Sequence, residues 1–123
     1  MKLRILRDSI RLRLTRSEVA RIANGQTVSE RTPLAHDTRF DYALVAGSEP
    51  AMRAELSERR LVVTVPGPAL DAWAKGDAVA VDCASSHPGP AILVEKDFAC
   101  LTPRAGGDDD DTYPHPETGT ASC

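Results

Sequence analysis

The chain can be laid on itself, and this constrains its fold more than any other feature. Shifted by 51 positions, residues 10–28 (IRLRLTRSEVARIANGQTV) lie on residues 61–79 (LVVTVPGPALDAWAKGDAV) without a gap. Ile10 meets Leu61, Leu12 meets Val63, Leu14 meets Val65, Val19 meets Leu70, Ile22 meets Trp73 and Val28 meets Val79. Ala23 falls on Ala74 and Gly25 on Gly76, so the apolar pattern and the glycine after it coincide. Self-similarity at a fixed spacing marks a repeated supersecondary unit. The expectation is one domain, residues 1–103, made of two copies spanning about 1–50 and 52–101.

Each copy predicts the same elements. Residues 2–14, KLRILRDSIRLRL, alternate apolar and basic on either side of Asp8-Ser9, the period of half-buried strands. This reads as a hairpin turning at Asp8-Ser9, with Leu3, Ile5, Ile10, Leu12 and Leu14 inward and Lys2, Arg4, Arg11 and Arg13 outward. Thr15 and Glu18 have capping-box spacing, Val19, Ile22 and Ala23 share one helical face, and Asn24-Gly25 supplies a left-handed stop. A helix over 16–24 follows, then strands beginning at Val28 and running through Phe40, Tyr42 and Leu44 to Gly47. In the second copy Pro66 stands where Thr15 does, also a helix-start residue, and the helix covers 67–75. Residues 91–101, AILVEKDFACL, form the last strand. The sum is an α+β, mostly β fold of two pseudo-symmetric β-β-α-β-β units, with about eight short strands, two short helices and a pseudo-two-fold axis. Aromatics are few (Phe40, Tyr42, Trp73, Phe98, Tyr113), so the core is aliphatic. Its expected members are Leu3, Ile5, Leu12, Leu14, Val19, Ile22, Val63, Val65, Leu70, Trp73, Val79, Ile92 and Val94. Residues 104–123 change to Gly, Asp, Pro, Ser and Thr, a composition that buries too little apolar surface to stay ordered. They read as an acidic mobile tail.

Residues 59–81, RRLVVTVPGPALDAWAKGDAVAV, resemble the AbrB/MazE swapped-hairpin domain in Val65-Pro66 ahead of the helix and Gly76-Asp77 after it. RDSIRLRL in the first copy is similar to the basic hairpin that opens the antitoxins of that family. The resemblance implies DNA binding through that hairpin, and a fold reached elsewhere by two chains but here by one. The helix-to-glycine segment is about two residues shorter than the family's, and Thr15 replaces its proline. The whole chain also resembles a group of small uncharacterised bacterial proteins that begin near MKLRI and end near VEKDFACL, followed by an acidic tail. That likeness implies no function.

Charge gives the functional lead. The net charge is −3, yet residues 1–39 carry nine Lys/Arg against four acids (+5), and residues 40–123 carry six against fourteen (−8). Lys2, Arg4, Arg11 and Arg13 would share one face of two paired strands. A two-stranded ribbon fits the DNA major groove, and clustered cations give a salt-sensitive phosphate affinity. The expected partner is DNA or another anion, with the acidic tail as an internal competitor. A protein–protein adaptor using the acidic second half is the alternative, and an ordinary solvated face is the plain one. No HExxH, GxSxG, P-loop or GxGxxG occurs, and neither a catalytic site nor a cofactor is expected. A small metal site would draw on Cys83, His87 and Cys100, with Glu95 nearby, but zinc needs a fourth ligand. His36 and His87 are equivalent under the 51-residue shift and could pair at a metal, though loop histidines are ordinarily just solvated, and the Asp108–Asp111 run lacks a preset calcium loop. Glu95 and Asp97 are expected on one wet face of the last strand, Lys96 on the other. Three cysteines without a CxxC pair read as reduced thiols. MKLRILRDS holds no signal-peptide core and no stretch nears the roughly 18 apolar residues of a membrane span, so the expected compartment is the cytosol.

Overall fold

A computed structural model of the 123-residue chain describes residues 1–98, 111 and 113. Among them are seven strands and two helices: β1 (Lys2–Leu6), β2 (Ser9–Leu14), α1 (Arg16–Ala23), β3 (Val28–Pro33), β4 (Arg39–Gly47), β5 (Arg53–Ser57), β6 (Arg60–Pro66), α2 (Gly67–Lys75) and β7 (Ala91–Lys96). The fold is mostly β, with both helices short, as the alternating apolar pattern requires. One sheet has the order β1-β2-β7 and the other β3-β4-β6-β5.

Pairing repeats with the offset read from the sequence. β1 and β2 form an antiparallel hairpin with Lys2 opposite Arg13, and β5 and β6 form another with Arg53 opposite Thr64, each residue moved by 51. Neither hairpin pairs with its own half. β2 runs parallel to β7, with Ser9 opposite Ala91, and β6 runs parallel to β4, with Arg60 opposite Asp41. The two halves therefore exchange hairpins. One core of sixteen buried residues, including Leu12, Leu14, Val19, Leu44, Val63, Val65, Trp73 and Val94, joins both sheets and both helices.

Local sequence explains the helix ends. The Thr15 side chain accepts from the Glu18 amide while Glu18 reaches back to the Thr15 amide, 2.9 Å away, completing the capping box. Gly25 ends α1 in the left-handed region, at φ 79°. Gly76 ends α2 differently. It is extended, and a Cβ there would meet the Ala72 carbonyl oxygen at 2.8 Å, so close approach rather than handedness requires glycine.

Four expectations need correction. The first turn falls at Arg7-Asp8, because Leu6 pairs with Ser9, and Arg7 takes the left-handed conformation (φ 52°), as Glu58 does in the second hairpin (φ 57°). Ile5 is 57% exposed. It faces inward opposite Ile10, but β1 is an edge strand with nothing beyond it, and Leu3 is only partly buried for the same reason. Val79 is 38% exposed, and Val81 is buried instead. Trp73, standing where Ile22 does in the first copy, donates its indole N–H to the Val79 carbonyl at 2.9 Å, holding the backbone there. The chain needs two more residues to re-enter the core, so Val81 beside Val94 does what Val28 does beside Leu44. The eighth strand is consequently lost: residues 79–83 keep only an isolated bridge from Ala80 to Glu95.

Candidate functional site

The hairpin register settles where the four basic residues go. Lys2 stands directly opposite Arg13 and Arg4 opposite Arg11, so all four leave the same, outward face of the β1–β2 ribbon. The inward face carries Leu3, Ile10, Leu12 and Leu14.

Strand exchange adds what the sequence pattern did not show. β7 lies against β2, with Arg13 opposite Glu95, and so sets carboxylates among the cations. Arg11 Nε donates to Glu95 Oε1 at 2.6 Å and Arg13 Nε to the same oxygen at 2.9 Å. Lys2 Nζ lies 3.0 Å from Asp97 Oδ2, an almost fully buried carboxylate. Arg4 makes no ion pair among the described residues. Four cations and two carboxylates leave the face at +2 rather than +4. The face also carries Leu6 and Leu93, 50% and 39% exposed, beside Arg4 and Arg11.

The outward face of the other sheet holds a polar hollow of about 1180 Å³, lined by Arg31, Arg39, Arg59 and Arg60 together with Glu30, Asp37, Asp41 and Glu58. Asp41 pairs with Arg31 at 3.4 Å and with Arg39 at 3.2 Å. Its charges cancel, so it attracts anions less than the ribbon does. Sequence reasoning missed it because Asp41 and Arg60 meet only through the parallel β4–β6 pairing.

Glu95 and Lys96 leave opposite faces as alternation requires, but the face expected to be wet is not: Asp97, just past the end of β7, is 4% exposed and the Glu95 side chain 12%, covered by their ion pairs with Lys2, Arg11 and Arg13, and Lys96 on the other face is buried too. It is 6% exposed, donates to the Gly76 carbonyl at 2.8 Å, and lies 5.8 Å from the Trp73 ring and 5.4 Å from the Tyr113 ring. Burial pulls its pKa below the usual 10.5, with Asp77 opposing. Two residues of the segment read as a tail are placed against this end. Asp111 accepts from the Ser17 amide at 3.1 Å and from the Ser17 hydroxyl at 2.5 Å, and its own carbonyl accepts from the Arg16 amide at 2.9 Å. These hydrogen bonds, Ser17's first, hold its pKa below the carboxylate norm. Tyr113 donates its amide to the Asp97 carbonyl at 2.7 Å, stacks edge-on against Phe98, and lies beneath the Arg16 guanidinium. Burial raises its pKa, Arg16 working against the rise. Asp111 therefore sits at α1 and not on Lys2, Arg4, Arg11 or Arg13. The rest of 104–123 lies outside the described residues.

The metal candidates do not converge. The Cys83 thiol is directed at the Pro50 and Ala84 carbonyls, His87 is exposed, and Cys100 lies outside the described residues, as does Cys123. Among the described residues no group of three or more His, Cys, Asp or Glu could hold a metal ion. His36 sits at φ 59° in the exposed β3–β4 loop. Among the same residues no helix is long and apolar enough to cross a membrane.

Comparison with known proteins gives one match. The model of a family of unknown function (DUF7009) covers residues 1–117. No curated protein and no solved structure matches. The chain belongs to that uncharacterised family, which agrees with the likeness carried by MKLRI and VEKDFACL. The AbrB/MazE resemblance gains no support from the comparisons.

Proposed function

We propose that this member of the DUF7009 family is a non-enzymatic binding module of the cytosol whose β1–β2 ribbon meets an anionic partner, duplex DNA before others. The observation that carries the reading is the cross-strand placing of Lys2 with Arg13 and Arg4 with Arg11 on one outward face. β1 is the free edge and β2 the centre of a three-stranded sheet, and the cations on their shared outward face take phosphates in place of counterions. Hairpin exchange between the two halves is the arrangement the AbrB/MazE resemblance implies, here within one chain. Glu95 and Asp97 temper the face: they lower non-specific affinity and fix the rotamers of Arg11, Arg13 and Lys2 before a partner arrives.

A protein partner is the second reading, favoured by Leu6 and Leu93 beside Arg4 and Arg11. Exposed apolar groups next to arginine have the composition of a protein interface centre. The two readings separate by mutation. Replacing Lys2, Arg4, Arg11 and Arg13 with Ala abolishes duplex binding at about 50 mM salt if phosphates are the partner. Unchanged duplex binding by this variant overturns the ribbon assignment. Replacing Leu6 and Leu93 with Ser leaves DNA binding intact but abolishes capture of a protein partner.

A further inference from the structure

The repeat makes two ends of the molecule equivalent, and they are not alike. At one end α1 begins with Arg16, Ser17 and Glu18, and β7 finishes with Lys96, followed by Asp97. At the other, the same positions are Gly67, Pro68 and Ala69 in α2, and Ala46 and Gly47 in β4. All the polar and charged chemistry is on one side. The difference reaches the backbone, because Pro68 has no N–H where Ser17 donates one to Asp111.

The polar end is also occupied. The Asp111 carboxylate receives the Ser17 amide and hydroxyl, its carbonyl receives the Arg16 amide, and the Tyr113 ring centroid lies 5.7 Å from the Arg16 guanidinium and 5.4 Å from the Lys96 ammonium. Tyr113 also bridges to Phe98 as a short parallel pair. The carboxylate is met by the Ser17 amide and hydroxyl and the ring by the Arg16 and Lys96 side chains, none of which the repeat mates Pro68, Gly67 and Ala46 can supply; the backbone contacts through the Arg16 amide and Asp97 carbonyl have counterparts there. A carboxylate at a helix start is favoured by free amides and the helix dipole, and a ring with two cations over it is held by its quadrupole.

We propose that the α1–β7 end is a peptide-recognition site for a carboxylate–aromatic motif, filled in cis by Asp111 and Tyr113 and open to the same motif on another polypeptide when these leave. This goes beyond the ribbon reading and does not depend on it. A segment tethered to its site has an effective concentration in the millimolar range, so a cis-filled site implies a dissociation constant in trans of about 1 mM or tighter.

The test uses the full chain carrying Asp111→Ala and Tyr113→Ala, and a fluorescein-labelled peptide of residues 108–116 as the probe, read by anisotropy. Saturable binding is expected to the double variant, at least tenfold weaker binding to the wild-type chain, and at least tenfold loss when the peptide itself carries the Asp111→Asn or Tyr113→Ala change. Adding Ser17→Pro to the double variant, which gives α1 the residue of its repeat mate, is expected to abolish binding with the thermal midpoint retained. Equal binding to wild type and double variant, or none to the double variant at about 1 mM peptide, overturns the proposal.

Discussion

Glu95→Gln should weaken the fold and strengthen the binding, and these opposite signs make it a stringent probe of the ribbon face. Glu95 Oε1 receives Arg11 and Arg13 at 2.6 and 2.9 Å, and its side chain is only 12% exposed. Hydrogen bonds between charged groups contribute about 1.5–3 kcal/mol each. The arginine side chains are 29% and 19% exposed, so water screens part of that. Glutamine keeps a neutral acceptor, leaving a net loss of about 1–2 kcal/mol, or roughly 4–8 °C in thermal midpoint for a domain of this size. The same change raises the charge of the face from +2 to +3. If one more phosphate is then contacted, the log–log salt slope of duplex binding steepens by about 0.9. Calorimetry reads the first effect and anisotropy at several salt concentrations the second. A lower midpoint with an unchanged slope would show that Arg11 and Arg13 do not face the partner, refuting the reasoning.

Three further outcomes follow from the packing and the charges. Gly47→Ala places a Cβ 2.3 Å from the Thr64 methyl, so it should cost about 1–3 kcal/mol in urea unfolding, and Thr64→Ser, which removes that methyl, should restore most of it. Thr15→Ala removes the hydroxyl of the capping box and should cost about 1 kcal/mol, whereas Pro66→Ala should cost less because Pro66 makes no side-chain cap. Lys96 binds its proton less tightly when folded than at its ordinary 10.5, so between its lowered pKa and 10.5 the unfolded chain holds more protons and stability rises with pH. Wild type should therefore gain on Lys96→Met as the pH is raised from about 7 to about 10, and parallel urea midpoints would contradict this.

Elements set by short-range pattern were legible in the sequence. The period-two run over residues 2–14, the Thr15–Glu18 box and the Asn24-Gly25 stop placed β1, β2 and α1, and the 51-residue offset carried that reading to β5, β6 and α2. What failed depended on contacts between distant residues. An ungapped alignment cannot see that Trp73 takes more room than Ile22 and captures the Val79 carbonyl, and so it put Val79 where Val81 belongs. Alternation gave Ile5 the right face but could not show that β1 is an edge. The candidate site was half legible: register fixed the four cations, but Glu95 reaches Arg11 across more than eighty residues through a parallel pairing that no local pattern encodes. Lys96 reads locally as one more charge on a strand and is buried because two aromatic rings from elsewhere enclose it.

The central claim is that the β1–β2 ribbon is an anion-binding face, and a salt titration of duplex DNA binding by the wild-type chain tests it most directly. The net charge of +2 sets the lower bound of the slope and all four cations the upper, so log affinity against log salt should fall with a slope between about −1.8 and −3.6. No measurable binding at about 50 mM salt, or a slope near zero that the four-alanine variant shares, would contradict it.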